Sequence, residues 1–287
     1  MQAMRMLATA LVALVALACG LFGGAAVAAP VEARYQATGP WAVSTATVND
    51  GSGRAIYQLY YPTALGSGGV RHPIVTWGNG SLATPADYPG LLNHLASWGY
   101  AVIASTSSTT GKGTEVLAGA QHLVAAASDP ASVFNGKLDT AHVAALGHSQ
   151  GAGGAINATT RSSGLITSTA VWALPAALWV SRGDEFDVSQ LRGPAFFMGG
   201  QWDVLIAGPS VVTGYYRAAG GPAAAAVLRG GDHNTIQRTG GGTLGYVTAW
   251  LKYTLEGDAT ARSAFAGSAP ELLTNTLWQN QAVRSLP

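Results

Sequence analysis

Gly147-His148-Ser149-Gln150-Gly151 is the stretch whose neighbours decide how the whole chain is to be read. Upstream, His142-Val143-Ala144-Ala145-Leu146 is an apolar run of strand length. Downstream, Ala152-Gly-Gly-Ala-Ile-Asn-Ala-Thr159 is a small-residue stretch able to start a helix packed closely on a sheet. A G-x-S-x-G between a strand and a helix forms a nucleophile elbow. The turn is so sharp that its flanking positions tolerate little or no side chain, and the serine Oγ is pushed out above the sheet. An ordinary Gly-rich turn would have no need of the strand and helix on either side.

Working outward, apolar runs of strand length alternate with helical patterns, as a doubly wound sheet requires. Ala55–Tyr61 alternates like an early antiparallel strand and stops at Pro62. Pro73–Trp77 predicts a buried strand running into Gly78-Asn79-Gly80. Tyr88–Trp98 carries Leu91, Leu92, Leu95 and Trp98 at helical spacing and stops at Gly99. Ala101–Ser105 is the next strand, and Thr114–Ala127 the next helix, with Leu117, Leu123 and Val124 expected to face inward. After the elbow come strands at Ser168–Trp172, Ala195–Met198 and Ala224–Leu228, then an amphipathic helix over Thr243–Leu255. The Gly-rich patches at 66–69 and 239–242 read as loops. With the elbow in place, the pattern predicts an α/β-hydrolase fold: a mostly parallel, doubly wound sheet with helices on both faces and no large lid.

Composition agrees. The 287 residues are only 10% charged, with a formal net charge of +1. No basic stripe suggests nucleic acid, and no long charge run suggests disorder. The N-terminus reads as a secretory leader: Arg5 supplies the positive end, Leu7–Leu21 is nearly unbroken Ala/Leu/Val, and Ala26-Val27-Ala28 offers a cleavage site. Residues 1–28 are therefore expected to be a signal peptide cleaved near Ala28, and 29–287 one catalytic domain. The apolar run is short for a membrane span, so no stable membrane insertion is expected after cleavage. The sole cysteine, Cys19, lies inside the leader in a poor lipoprotein context. Its removal leaves neither a disulfide nor a thiol nucleophile.

A serine needs a base and a group that orients the base. In this fold they follow the nucleophile in the order acid, then histidine. Of six histidines, only His233 follows Ser149, in Arg229-Gly-Gly-Asp-His-Asn234 just past a predicted strand. Among the later carboxylates, Asp203 sits at the end of a strand, in Gly199-Gly-Gln-Trp-Asp203. Asp232 adjoins His233 and would diverge from it; Asp184, Glu185 and Asp187 read as a solvated loop cluster. Ser149, Asp203 and His233 are thus the catalytic candidates. Oxyanion donors are expected from the N–H of Gln150 and from the loop after Trp77, with Asn79 first and Gly80 second. Trp77, Gly80, Trp172 and Trp202 are candidates for the substrate wall. No zinc-protease helix, Cys/His cluster or dinucleotide fingerprint is present, so neither metal nor cofactor is expected. Activity should fall at acid pH, because a protonated His233 cannot act as base.

These motifs resemble those of the secreted bacterial cutinases and polyester (PET) hydrolases, within the dienelactone-hydrolase and chlorophyllase-like group. The matching residues are Tyr60-Tyr-Pro-Thr63, Trp77-Gly78, Leu95–Ile103, Asn135–Asp139, the elbow with Gly153-Gly154, Gly200–Asp203, Gly230–His233 and Ala249–Lys252 with Phe265 beyond. The resemblance places Ser149, Asp203 and His233 on the triad and implies a monomeric enzyme acting on carboxylic esters, including polymers such as cutin or aliphatic polyesters. Three departures bear on substrate. Asn79 stands where an aromatic residue is usual, Gln150 where Met is usual, and the cleft Trp would fall near Ala176, with Trp172 and Trp179 close by. Only a small cap, centred on Ala176–Asp187, fits between Ser149 and Asp203. A cutinase or aliphatic polyesterase ranks first, a general short-chain carboxylesterase or lipase second, and efficient PET cleavage last. A silent binding protein on the same fold is the alternative from another class.

Overall fold

Nine strands follow one another along residues 29–286, the part of the chain that this computed structural model describes. The expected leader, with Cys19, lies outside the described residues. In chain order the main elements are α1 (Pro30–Gln36), β1 (Val43–Asn49), β2 (Ala55–Pro62), β3 (His72–Gly78), α2 (Pro89–Ser97), β4 (Ala101–Ser105), α3 (Thr114–Ala126) and β5 (Leu138–His148). Then come α4 (Gln150–Arg161), β6 (Ser168–Trp172), β7 (Ala195–Gly200), α5 (Pro209–Ala218), β8 (Ala223–Leu228), α6 (Leu244–Glu256), α7 (Ala259–Arg262) and β9 (Trp278–Arg284). The strands form one sheet in the order β1-β2-β4-β3-β5-β6-β7-β8-β9. β1 and β2 are antiparallel to their neighbours, as is β9; β4 through β8 run parallel where they pair with one another and with β3.

Side-chain alternation sorts the strands between two cores. Val75, Trp77, Ala144, Leu146, Phe196 and Met198 pack on one face against α2 and α6. Ile74, Val143, Ala145, Ala195 and Phe197 point to the other face, against α3 and α4. Both faces of the central strands are covered, which is why they read as continuous apolar runs. The buried stripe of α3 is Val116, Ala120 and Leu123, while Leu117 and Val124 are only partly buried. The inward face is thus turned by one residue from the expected Leu117, Leu123 and Val124.

β1 and β9 carry no sequence signal strong enough to announce them. Val43-Ser-Thr-Ala-Thr-Val-Asn49 and Trp278-Gln-Asn-Gln-Ala-Val-Arg284 are mostly polar because they close the two edges of the sheet, where one side of each strand meets water.

The elbow sits where β5 meets α4. A Cβ on Gly147 would overlap the Gly151 carbonyl, and one on Gly151 would overlap the Gly78 carbonyl and the Asn79 oxygen. The end of β3, the end of β5 and the start of α4 therefore touch backbone to backbone, and both glycines of the motif are required by that contact.

Candidate active site

Ser149 sits at the point of the elbow with φ 53 and ψ −122. A side-chain-bearing residue at that φ costs about 1–3 kcal/mol, a strain held here by the strand and helix locked on either side. The Ser149 hydroxyl lies 2.9 Å from Nε2 of His233, and Nδ1 of His233 lies 2.6 Å from Oδ2 of Asp203. His233 stands on the loop after β8 and Asp203 on the loop after β7. Backbone bonds from Gln201 N to Leu228 O and from Trp202 N to Gly231 O stitch the two loops together. The Gly230 N–H adds a bond to Gln201 Oε1 at 2.9 Å.

Asp203 is only 4% exposed. Burial pushes its carboxyl upward, but the His233 hydrogen bond, the His233 charge and the N–H groups of Ala207 and Ile206 outweigh that, and its pKa falls below the usual carboxylate value. Asp203 is therefore an anion aimed at Nδ1. It fixes the tautomer of His233 that leaves Nε2 free to accept from Ser149. Asp232 is spent on its own turn, accepting from Asn234 N and Thr235 Oγ1.

Behind the imidazole, the His233 carbonyl accepts two hydrogen bonds, from Trp172 Nε1 at 3.0 Å and from His148 Nε2 at 2.9 Å. Nδ1 of His148 lies 2.9 Å from the Tyr88 hydroxyl, which also accepts the N–H of Gly80 at 3.0 Å. Burial, with the neighbouring His233 charge second, lowers His148 to about 3, so its ring is neutral at working pH.

In front of Ser149 is a cleft of about 110 Å³, bordered by Ser81, Gln150, Pro175, Trp179, Phe186 and Ile206. The segment between β6 and β7 forms its far wall. Trp179 is moored by a 2.7 Å bond from Nε1 to Leu205 O, and Tyr215 donates to Pro175 O at 2.7 Å. The ring of Phe186 lies over Gly153, where a Cβ would come within 2.8 Å of it. Gln150 donates through Nε2 to Asp184 Oδ2 at 2.9 Å, tying the start of α4 to this wall.

The PETase family model, described as PET hydrolase-like, matches residues 23–282. The chain belongs to this family. PETase membership makes it an α/β-hydrolase, in agreement with the sheet, and a hydrolase acting on esters. No curated protein matches the chain. Among the described residues, no helix is long and apolar enough to cross a membrane, and no group of three or more His, Cys, Asp or Glu is placed to hold a metal ion.

Within this PETase-family site the structure brings together Ser149, His233, Asp203 and Gln150, and separates them from most of the expected substrate wall. Trp77 is core: its ring packs edge-on to Tyr88 and its Nε1 donates to Asn79 Oδ1. Trp172 is core as well and serves the His233 carbonyl. Gly80 is buried beneath Tyr88, with its N–H already engaged. Trp202 is exposed beside Asp203 and does not border the cleft. Asn79, expected as an oxyanion donor, is fully buried. Its side-chain amide donates to Ser105 O and Ser107 O and its backbone carbonyl accepts from Thr110 Oγ1, bonds that hold the residue in place without using its backbone N–H. The loop residue that reaches the cleft is Ser81, because β3 continues to Gly78 and Asn79-Gly80 are drawn down onto Tyr88 and Ser105. Asp184 is half-buried and bonded to Gln150, not solvated as its loop composition suggests. The wall aromatics are Trp179, which the resemblance puts close to the usual cleft Trp, and Phe186, which stands alone in the polar run 182–187 and carries no signal of its own.

Proposed function

We propose that this PETase-family chain is a secreted serine hydrolase that cleaves carboxylic esters through an acyl-enzyme on Ser149. The observation that carries the reading is the unbroken line Asp203–His233–Ser149 ending in a strained serine that opens on the cleft. Ser149 Oγ attacks the acyl carbon while its proton passes to Nε2 of His233, and Asp203 stabilises the imidazolium. The developing oxyanion is met by the N–H of Gln150, at the first turn of α4 where backbone donors have no intrahelical partner, and by the N–H of Ser81 opposite. The tetrahedral intermediate collapses, and His233 returns the proton to the leaving alcohol. Water, deprotonated by the same nitrogen, then releases the acid and restores Ser149. The scheme uses neither metal nor cofactor, and one chain supplies every group in it, as a monomer would.

The apolar rim favours a water-insoluble ester. Leu82 (89% exposed), Leu178 (89%) and Leu205 (76%) each adjoin a residue bordering the cleft. Apolar side chains gathered at a site mouth mark a surface that meets an apolar partner. A cutin-like or aliphatic polyester substrate fits this rim, and the small cleft also admits soluble short-chain esters. Secretion rests on the leader composition, with residues 29–287 as the mature catalytic domain.

Purified protein and its Ser149→Ala variant should be compared on tributyrin, polycaprolactone film and amorphous PET film. The expected result is release from tributyrin and polycaprolactone, little from PET, and none with the variant. Clearing of tributyrin with no release from either film would leave a plain short-chain esterase. Retained turnover in Ser149→Ala would remove the serine mechanism.

A further inference from the structure

His148 precedes the nucleophile, yet its ring turns away from the cleft into the body of the protein. Its partners fix the direction of every proton in the chain of bonds. The His233 carbonyl can only accept, so Nε2 of His148 carries the hydrogen. A neutral ring then presents an unprotonated Nδ1, so the Tyr88 hydroxyl donates to it. The same hydroxyl oxygen accepts the Gly80 N–H. Gly80 N–H to Tyr88 O–H to His148 to His233 carbonyl is thus one directional chain with every buried group in it satisfied. It joins the loop bearing Ser81 to the main chain of the base, passing directly behind Ser149.

Gly80 carries a second sign of the same device. A Cβ there would lie 2.9 Å from His148 Nδ1 and 3.1 Å from the Tyr88 hydroxyl, against the side of the bond between them and too close to both its atoms. The backbone conformation of Gly80 does not itself demand glycine, since its φ is not among the positive values of this chain. The space it leaves is what the network occupies.

We propose that Tyr88 and His148 are positioning residues that couple the 79–81 loop to the His233 backbone, so that the oxyanion donors and the base are set against Ser149 as one unit. This rests on the serine-hydrolase reading above. Neither residue touches the substrate. Both act through the placement of groups that do, and misplacement by an ångström is enough to cost orders of magnitude in rate.

The variants are chosen to cut the chain at different links. Tyr88→Phe keeps the buried ring and removes the hydroxyl, leaving Gly80 N–H and His148 Nδ1 without partners. His148→Gln can keep a donor to the His233 carbonyl while losing the acceptor for Tyr88. Gly80→Ala crowds both atoms of that bond from the side, so that one or both must shift. On a soluble p-nitrophenyl ester, Tyr88→Phe and Gly80→Ala should each lower kcat about tenfold with KM changed less than about twofold. The double variant Tyr88→Phe/His148→Gln should be no slower than the worse single one, because both cut the same chain. Wild-type protein labelled with ¹⁵N in histidine should show His148 as the Nε2–H tautomer, unchanged from about pH 5 to 8. A lower melting temperature with unaltered kcat, additive losses in the double variant, or a His148 that carries its proton on Nδ1 would each overturn the proposal while leaving the hydrolase reading intact. A wild-type protein that does not turn over the ester would remove both.

Discussion

The two sides of Ser149 are built differently. Behind it, Tyr88, His148, Trp172 and Asp203 are buried, and each is bonded within the loops that carry Gly80, Asp203 and His233. In front, the cleft is small, its wall is an irregular segment between two strands, and Leu82, Leu178 and Leu205 stand exposed around it. Gln150 straddles the divide: its Nε2 bonds Asp184, but its Oε1 is buried without a partner. The rear is over-determined, because breaking any one bond leaves a buried polar group unsatisfied. The front is held by a few anchors and can vary without disturbing the chemistry. Rate should therefore depend on the rear and substrate choice on the front.

The largest break in that comparison is Asp203→Asn. The amide would face Nδ1 of His233 with a donor, favouring the tautomer that places a proton on Nε2 and cannot accept from Ser149. A loss of about 10⁴-fold in kcat is expected with the fold retained; steady-state kinetics beside circular dichroism checks it. A loss under tenfold would mean that Asp203 does not orient the base.

Next is Gly151→Ala. Its methyl would overlap the Gly78 carbonyl where α4 meets β3, and neither backbone can yield without moving the elbow. Destabilisation of about 3 kcal/mol or more is expected in denaturant unfolding, against under about 1 kcal/mol for an alanine at the exposed Leu178.

The buried rear should also show itself in acid. His148 is held at about 3 in the folded protein against an ordinary 6.5. As pH falls through that window the unfolded chain takes up a proton that the folded one refuses, so stability is lost as pH falls, by about 1 kcal/mol per unit. His72 and His94, also lowered by burial, act in the same sense. Unfolding midpoints measured from pH 7 to 4 should fall more steeply in wild type than in His148→Gln; equal slopes would mean that His148 is not held neutral by the fold.

The smallest effect belongs to the front. Trp179→Ala should lower kcat/KM about fivefold on an ester with a long acyl chain and leave p-nitrophenyl acetate almost untouched. Equal losses on both substrates would place Trp179 in support of the chemistry instead.

The same divide explains what could be read from the sequence. Central strands were legible because burial on both faces makes them apolar, and the elbow because two backbone contacts demand glycine at fixed offsets. That Ser149, His233 and Asp203 meet was legible through chain order and position at strand ends. Tyr88 was not, since its meaning lies in a hydrogen bond to a residue sixty positions away, which no local periodicity records. Trp77 and Trp172 invited a surface role because tryptophan serves cores and clefts alike. In the loop after Trp77 the residue that borders the cleft is Ser81, two past Asn79, because the depth to which Asn79-Gly80 sink depends on Tyr88 and Ser105 reaching them from elsewhere. Edge strands β1 and β9 stayed hidden behind polar side chains that suit a half-wet position.

The most direct test is covalent. Native protein should be treated with a fluorophosphonate, then intact mass and peptide mapping should be used to find the adduct. A single adduct on Ser149, abolished by Asp203→Asn or greatly slowed by it, is the expected result. An unmodified protein, or an adduct on any other residue, would contradict a serine nucleophile at the elbow.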